Sequence, residues 1–362
     1  MRICLLTHTL RPQTGAGIFA KGIVDGVQHD ASDIEFTVLT SENYVEPNVY
    51  KILKNWFYIR NEFKHADAIH AVDAYPYGLV ACLANITISK PIIITAVGTG
   101  SVRKLNGKGL RSLLLRWVYG RATIITAISN YVASEIQKVL PHLSVKVIGP
   151  DVDYKFYAQS INASDETGTK YEYIISQGEL KRRKGYSEIL PIMKRVMDLR
   201  PSIRYVIIAN ASRNLTYREE LYELMDKLGI INKIIIKSDL SREELREAYA
   251  KAILYLAMPK NNNGDIEGFG MAIMEASATG TPAVVGKGSG ADDAILDGKS
   301  GFLVDGENEN EVVEKVLSIV DNKDLREKLS KGARKWAETY SLDNKPQKYL
   351  SIYDKYDNLT HL

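Results

Sequence analysis

The sequence predicts an α/β protein of two tandem, doubly wound domains that face a central cleft. Three observations predict it. Short β-branched runs alternate with helix-period segments along nearly all of the 362 residues. The strands read as unbroken apolar runs, the mark of a parallel sheet covered on both faces. One polar stretch near the midpoint, QSINASDETGTK at 159–170, interrupts this pattern before it restarts. At roughly 150 residues per domain, the length also fits two domains. The expected limits are 1–158 for the first domain and 171–340 for the second. A C-terminal helical segment, 341–362, has the first domain as a candidate packing partner.

Each expected strand is short, rich in β-branched residues and bounded by turn formers. In the first domain these are 3–7, 36–40, 68–72 between two aspartates, 91–96 opened by Pro91, 123–127, and 145–148 closed by Gly149 and Pro150. In the second they are 173–176 before Gly178, 205–209, 233–237, 253–258 closed by Pro259, 283–286 after Pro282, and 302–304 after Gly301. Helical periodicity fills the intervals. In open α/β sheets ligands bind beyond the carboxyl ends of the strands, so the loops there are where chemistry is expected.

Composition narrows the function classes. With 45% hydrophobic and 25% charged residues the chain is ordinary for a globular protein. A net charge of +3 gives no global basic field for nucleic acid, so affinity for anions must come from local clusters. Cys4 and Cys82 are unpaired in spacing and sit in apolar runs, which argues against a disulfide framework or a zinc site and favours a reducing, cytoplasmic compartment. The N-terminal MRICLLTHTL reads as a strand, not a signal peptide. The longest apolar run, 79–88, is interrupted by Asn85 and Thr87 and is too short to span a bilayer.

The most informative segment is EGFGMAIMEA at 267–276, which follows a strand and a polar loop. Its glycines let backbone approach a ligand, and a helix opening near Phe269 offers free N–H groups and a positive dipole end to a phosphate. Glu267 precedes that turn and Glu275 lies within the helix. If all eight positions were helical, the two carboxylates would stand about 80° and roughly 12 Å apart, too far for an acid/base dyad but suited to an elongated ligand. An exposed loop acid and a solvated helix acid are the plain alternative. Turn signals at 280–282, 288–290 and 297–301 are expected on one edge of the sheet. A second constellation, GELKRRKG at 178–185, sets four cations beside two glycines and can neutralise a diphosphate; a solvated basic turn is its alternative. Gly15 and Gly17 lie between the first strand and a helix, a weaker phosphate signal. His70 closes an apolar strand, where a satisfied core histidine competes with a cleft role.

The segments EGFGMAIMEASATGTPAVV at 267–285, ISNYVASEI at 128–136, VIGPDVD at 147–153, GELKRRKG and DGKSGFLV at 297–304 resemble the group 1, E-x7-E family of retaining, nucleotide-sugar-dependent glycosyltransferases. The resemblance spans nearly the whole chain. It implies the two-Rossmann GT-B architecture and transfer of a sugar from a nucleoside diphosphate donor to a glycan, lipid-linked or small-molecule acceptor. Nucleic acid is not an expected partner, and no cofactor or metal is expected. By the resemblance Glu267 and Lys184 are catalytic. Gly268, Phe269, Gly270, Glu275, Arg182, Arg183, Gly15 and Gly17 contact the donor, and His70, Val97 and Gly98 line the acceptor or sugar pocket.

Two positions depart from the family's habit. Glu179 stands where an arginine usually follows the first glycine, which leaves Arg182 or Arg183 to supply that cation. Val97 stands where a histidine often meets the sugar's 6-hydroxyl, which points to a pentose or 6-deoxy donor or to another residue making that bond. A non-catalytic nucleotide-sugar or glycan-binding protein, a nucleotide-sugar epimerase and a phosphorylase remain as alternatives on the same scaffold. Finally, KLNGKGLRSLLLRWVYGR at 104–121 is basic and amphipathic. It reads as a surface helix whose leucines face the sheet or, less simply, as a weak peripheral membrane contact.

Overall fold

The computed structural model describes residues 1–11, 15–31, 33–46, 48–159, 171–210, 214–341 and 348–353. The polar connector at 160–170 lies outside the described residues, as does most of the C-terminal segment. The chain forms two compact units: residues 1–151, 263–269 and 342–362 make the first, and 152–262 with 270–341 the second.

The first unit is a six-stranded parallel sheet in the order β2-β1-β3-β4-β5-β6. Its strands are β1 (Arg2–Thr7), β2 (Glu35–Thr40), β3 (Ala68–Val72), β4 (Ile92–Ala96), β5 (Ile124–Ala127) and β6 (Val145–Val147). Their inner residues, such as Ile3, Leu5, Ile69, Ile93 and Ile94, are fully buried. Because β-strand crossovers are right-handed, the reversal from β1→β2 to β2→β3 sends helix Gly15–Asp30 to one face of the sheet. Helices Trp56–His65, Leu79–Ala84 and Leu110–Arg121 share the other, where neighbours in the series are in contact. The switch point lies between β1 and β3. Residues 348–353 are helical, and Tyr349 and Tyr353 are buried against His70 in this unit.

The second unit repeats the plan in the order β12-β11-β10-β7-β8-β9. The strands are β7 (Tyr173–Gln177), β8 (Arg204–Ile208), β9 (Ile234–Lys237), β10 (Leu254–Ala257), β11 (Ala283–Gly286) and β12 (Gly301–Val304). Helix Tyr186–Leu199 buries Ile189, Leu190, Ile192, Met193, Val196 and Met197 in its core. Each such side chain contributes on the order of 1.5–3 kcal/mol by leaving water. The switch point falls between β7 and β10, so the loops after these strands are adjacent.

Three expectations on organisation change. The second unit begins at Val152, not beyond 158, because Val152 pairs with Ser341 and its N–H donates to the Tyr340 carbonyl at 2.8 Å. Residues 263–269 follow β10 in sequence but belong to the first unit. The turn signals do not share an edge. Gly288 follows β11 at the carboxyl edge, whereas Gly280 ends helix Met271–Thr279 ahead of β11 and Gly298 precedes β12, both at the amino edge. In a parallel sheet every other connection must return to that side.

Candidate functional site

In the second unit the turn after β7 is shaped by two glycines. Gly185 adopts φ +71°, and a Cβ placed there would lie 1.7 Å from the Met258 carbonyl oxygen, so the chain after β10 packs directly on this backbone. Gly178 adopts φ +144°, and the Lys184 side chain crosses the space a Cβ would occupy, with Cε at 3.0 Å and Nζ at 3.3 Å. Between them Arg182–Lys184 form one 3-10 turn.

The four cations of this turn have different fates. Lys181 pairs with Glu179 at 2.5 Å. Arg182 places its guanidinium on both Glu220 oxygens, at 2.5 and 2.6 Å, and over the Tyr217 ring. The Arg183 carbonyl accepts from the Lys260 N–H at 2.9 Å. Lys184 lies across Gly178 and acts electrostatically on Glu275.

Glu275 is not a solvated helix acid. It is buried in helix Met271–Thr279, where the Tyr249 hydroxyl donates to Oε2 at 3.3 Å. Burial pushes its carboxyl up to about 7, against the Tyr249 hydroxyl, the Arg242 guanidinium, the Tyr157 hydroxyl and the Lys184 ammonium, all of which favour the charged form. Arg242 is itself held by Asp153 at 2.8 Å and by the Phe156 ring 4.2 Å from its guanidinium carbon. Sequence reading missed Tyr157, Tyr249 and Arg242 because no local spacing marks them; Tyr249 is 26 residues from its carboxylate partner. The helix opens at Gly270 with φ +90° and no side-chain cap; the Ile273 N–H donates to the Gly270 carbonyl at 2.9 Å, and the positive end of the helix dipole lies at this turn. Phe269, expected at the start of that helix, precedes it and is buried.

In the first unit, Glu267 lies half-buried in the 263–269 loop. Thr99 ties this loop down. Its hydroxyl donates to Asp265 at 2.7 Å and accepts from the Ile266 N–H at 3.1 Å. A Cβ at Gly268 would meet the Val97 carbonyl oxygen at 2.1 Å, and Gly98 also faces Gly268. Glu267, Gly268, Val97 and Gly98, expected from scattered segments, are thus brought together. Behind them Asp73, at the carboxyl end of β3 with φ +82°, accepts from the Ser101 hydroxyl at 2.5 Å and the Val97 N–H at 3.4 Å. Burial raises the Asp73 carboxyl to about 6 against these two bonds. A positive-φ aspartate so fastened was invisible in sequence.

His70 does not join them. It is fully buried in β3, with Nδ1 2.7 Å from the Tyr353 hydroxyl and Nε2 2.7 Å from Thr95 Oγ1. Burial pushes its pKa down to about 3, so it stays neutral in the core. Gly15 and Gly17 form the first turn of helix Gly15–Asp30 instead of preceding it. The exposed His8 at the carboxyl end of β1, with Nδ1 on Ser41 at 2.8 Å and Tyr77 at 3.2 Å, is a polar group that sequence reading passed over.

Two doubly wound parallel units, with a cation-bearing turn and a helix N-terminus beside the second unit's switch point, make up the GT-B architecture. Residues 159–336 match the family described as Glycosyl transferases group 1, and residues 25–156 match Glycosyltransferase Family 4. The chain belongs to the group 1 glycosyltransferases.

Among curated relatives it is 26% identical to a GDP-mannose-dependent alpha-(1-6)-phosphatidylinositol monomannoside mannosyltransferase of Mycolicibacterium smegmatis, over 64% of this chain and 60% of that protein. It is 22% identical to an uncharacterised glycosyltransferase of Methanocaldococcus jannaschii, over 92% of this chain and 93% of the relative. The chain thus spans less than two thirds of the first of these. Among solved structures, HepE of Anabaena in complex with UDP and glucose superposes with a TM-score of 0.79 at 17% identity, covering 98% of this chain and 99% of HepE. Sucrose-phosphate synthase of Thermosynechococcus elongatus gives 0.80 at 14% identity, over 98% of each chain. These two likenesses concern the fold. Among the described residues no helix is long and apolar enough to cross a membrane.

Proposed function

We propose that the protein transfers a sugar, with retention of anomeric configuration, from a nucleoside diphosphate donor to an acceptor hydroxyl. The observation that carries this reading is the second unit's cluster, in which buried Glu275 shares its surroundings with Lys184 and Arg242. A carboxylate there accepts from the ribose hydroxyls, while Lys184 and the N–H groups opening helix Met271–Thr279 take up charge that develops on the leaving diphosphate. Glu267, fixed through Thr99, meets hydroxyls of the donor sugar. Retention then proceeds by front-face displacement, in which leaving group and acceptor share one side of a short-lived oxocarbenium ion. No metal ion takes part in this reading.

The relatives guide the choice of substrates. One is named for GDP-mannose and an inositol lipid, others for D-inositol 3-phosphate, and the structural neighbour holds UDP. Donors with guanosine and uridine diphosphates and inositol-based acceptors therefore head the panel. Val97, which offers the sugar only apolar contact, supports a donor without an ordinary 6-hydroxyl. The two buried free cysteines support work in a reducing, cytoplasmic compartment, with peripheral rather than spanning contact to a membrane.

Release of nucleoside diphosphate from the panel, with and without acceptors, tests this function. Acceptor-dependent release that falls at least about a hundredfold in Lys184→Ala and in Glu267→Ala is expected. The configuration of the product, read by NMR, tests retention. Full activity in both variants would refute the site, and nucleotide-sugar binding without turnover would favour the binding-protein alternative.

A further inference from the structure

Helix Leu110–Arg121 of the first unit is apolar on both of its sides. Its inner face is Ser112, Leu115, Val118 and Tyr119, all buried. At about 100° per residue these cluster on one half of the helical wheel. Leu110, Leu113, Leu114 and Trp117 fall on the opposite half, within about 100° of one another. Within the helix Leu115 is the one buried leucine, and Leu105 ahead of it is buried as well, so the expectation that the leucines of this segment face inward holds for these two and not for Leu110 and Leu113. Leu110 is 72% exposed and Leu113 63% exposed, while Leu114 and Trp117 are half-buried.

The cations settle what this outer face fits. Arg111 and Arg116 flank the apolar stripe on its two sides, about 110° from its centre. Arg103, Lys104 and Lys108 stand exposed in the turns leading into it. From residue 74 to residue 134 the chain has no Asp or Glu and seven Lys or Arg, a surplus of +7 in a protein whose total is +3. A helix that presents leucines and a tryptophan between arginines, in a stretch of sequence that itself carries no carboxylate, has the make-up of an interfacial helix. Its apolar stripe suits the acyl boundary and its cations the headgroup phosphates.

We infer that the outer face of helix Leu110–Arg121, with the preceding basic turns, docks the first unit on an anionic lipid bilayer. The apolar stripe supplies depth and the flanking cations supply selectivity for negative surface charge. Neither alone suffices, since a few leucines or a few arginines give only marginal binding. Transfer chemistry is not needed for this docking, so it is measured separately from activity.

The experiment is flotation of the full chain with vesicles of phosphatidylcholine, with or without phosphatidylglycerol. Binding is expected with phosphatidylglycerol and low salt, and is lost at high salt. Lys108→Glu/Arg111→Glu should weaken it about thirtyfold or more, and Leu110→Ser/Leu113→Ser about tenfold. Both pairs replace exposed side chains, and unchanged thermal melting and unchanged nucleotide-sugar turnover in solution show that folding and the transfer site are intact. Brominated lipid should quench a part of the tryptophan emission that is missing in Trp117→Phe. Absence of flotation, equal flotation on phosphatidylcholine alone, or undiminished binding of both pairs overturns the inference. So does a reversible dimer in sedimentation that Leu110→Ser/Leu113→Ser abolishes while no vesicle binds.

Discussion

Glu275→Gln is expected to change how stability depends on pH, in a calculable direction. Burial raises the Glu275 carboxyl from an ordinary 4.5 to about 7 in the folded protein. The folded state then holds a proton more tightly than the unfolded chain. Stability from this group is full below pH 4.5, declines as pH rises between 4.5 and 7, and is flat above. At about 1.4 kcal/mol per pKa unit the loss is on the order of 3 kcal/mol by pH 8. Glutamine keeps the shape and removes the ionisation.

The difference between variant and wild type should therefore grow in favour of the variant from pH 5 to pH 8. Asp73, raised to about 6, adds its own slope to both proteins and cancels in that difference. Hydrogen exchange of the buried amides of helix Met271–Thr279 reads the local opening free energy without assuming that both units unfold together. A pH-independent difference between the proteins would show that Glu275 is ionised normally and that its buried setting has been misread. Donor binding should move the other way. If the ribose takes the carboxylate, wild-type affinity rises through pH 7, while the glutamine variant binds more weakly and without that dependence.

Three further outcomes follow from the same contacts. Gly185→Ala must meet both a left-handed backbone and the Met258 carbonyl, and is expected to cost about 3–5 kcal/mol in chemical unfolding and to displace Lys184; a shift below about 1 kcal/mol would contradict the packing of these two loops. Thr99→Val removes the hydroxyl that holds Asp265 and Ile266, so kcat should fall about tenfold with little change in nucleotide affinity, and Thr99→Ser should restore it. Val97→His should raise kcat/KM for a hexose donor relative to its 6-deoxy or pentose counterpart. Wild-type turnover of glucose or mannose donors at least as fast as every pentose and 6-deoxy donor would remove that reading of Val97.

The sequence by itself determined the strands and their grouping. Runs such as IIIT and YVII have one stable environment, a parallel sheet buried on both faces, and that is a local property of a few adjacent residues. It likewise marked Glu267, Glu275 and Lys184, because glycines and charges clustered within ten residues are visible in one dimension. Tertiary structure decided what distant partners do to those residues. Arg182 leaves the cation run for Glu220, 38 residues on. His70 closes its hydrogen bonds on Thr95 and on Tyr353, 283 residues away. Glu275 is a buried acid on which Tyr249, Tyr157 and Arg242, all distant in sequence, act to favour its charged form. Residues 263–269 join the first unit through Thr99 and Val97, against their place in the chain. Backbone conformation is chosen by neighbours along the sequence, whereas desolvation and pairing depend on neighbours in space, which periodicity does not encode.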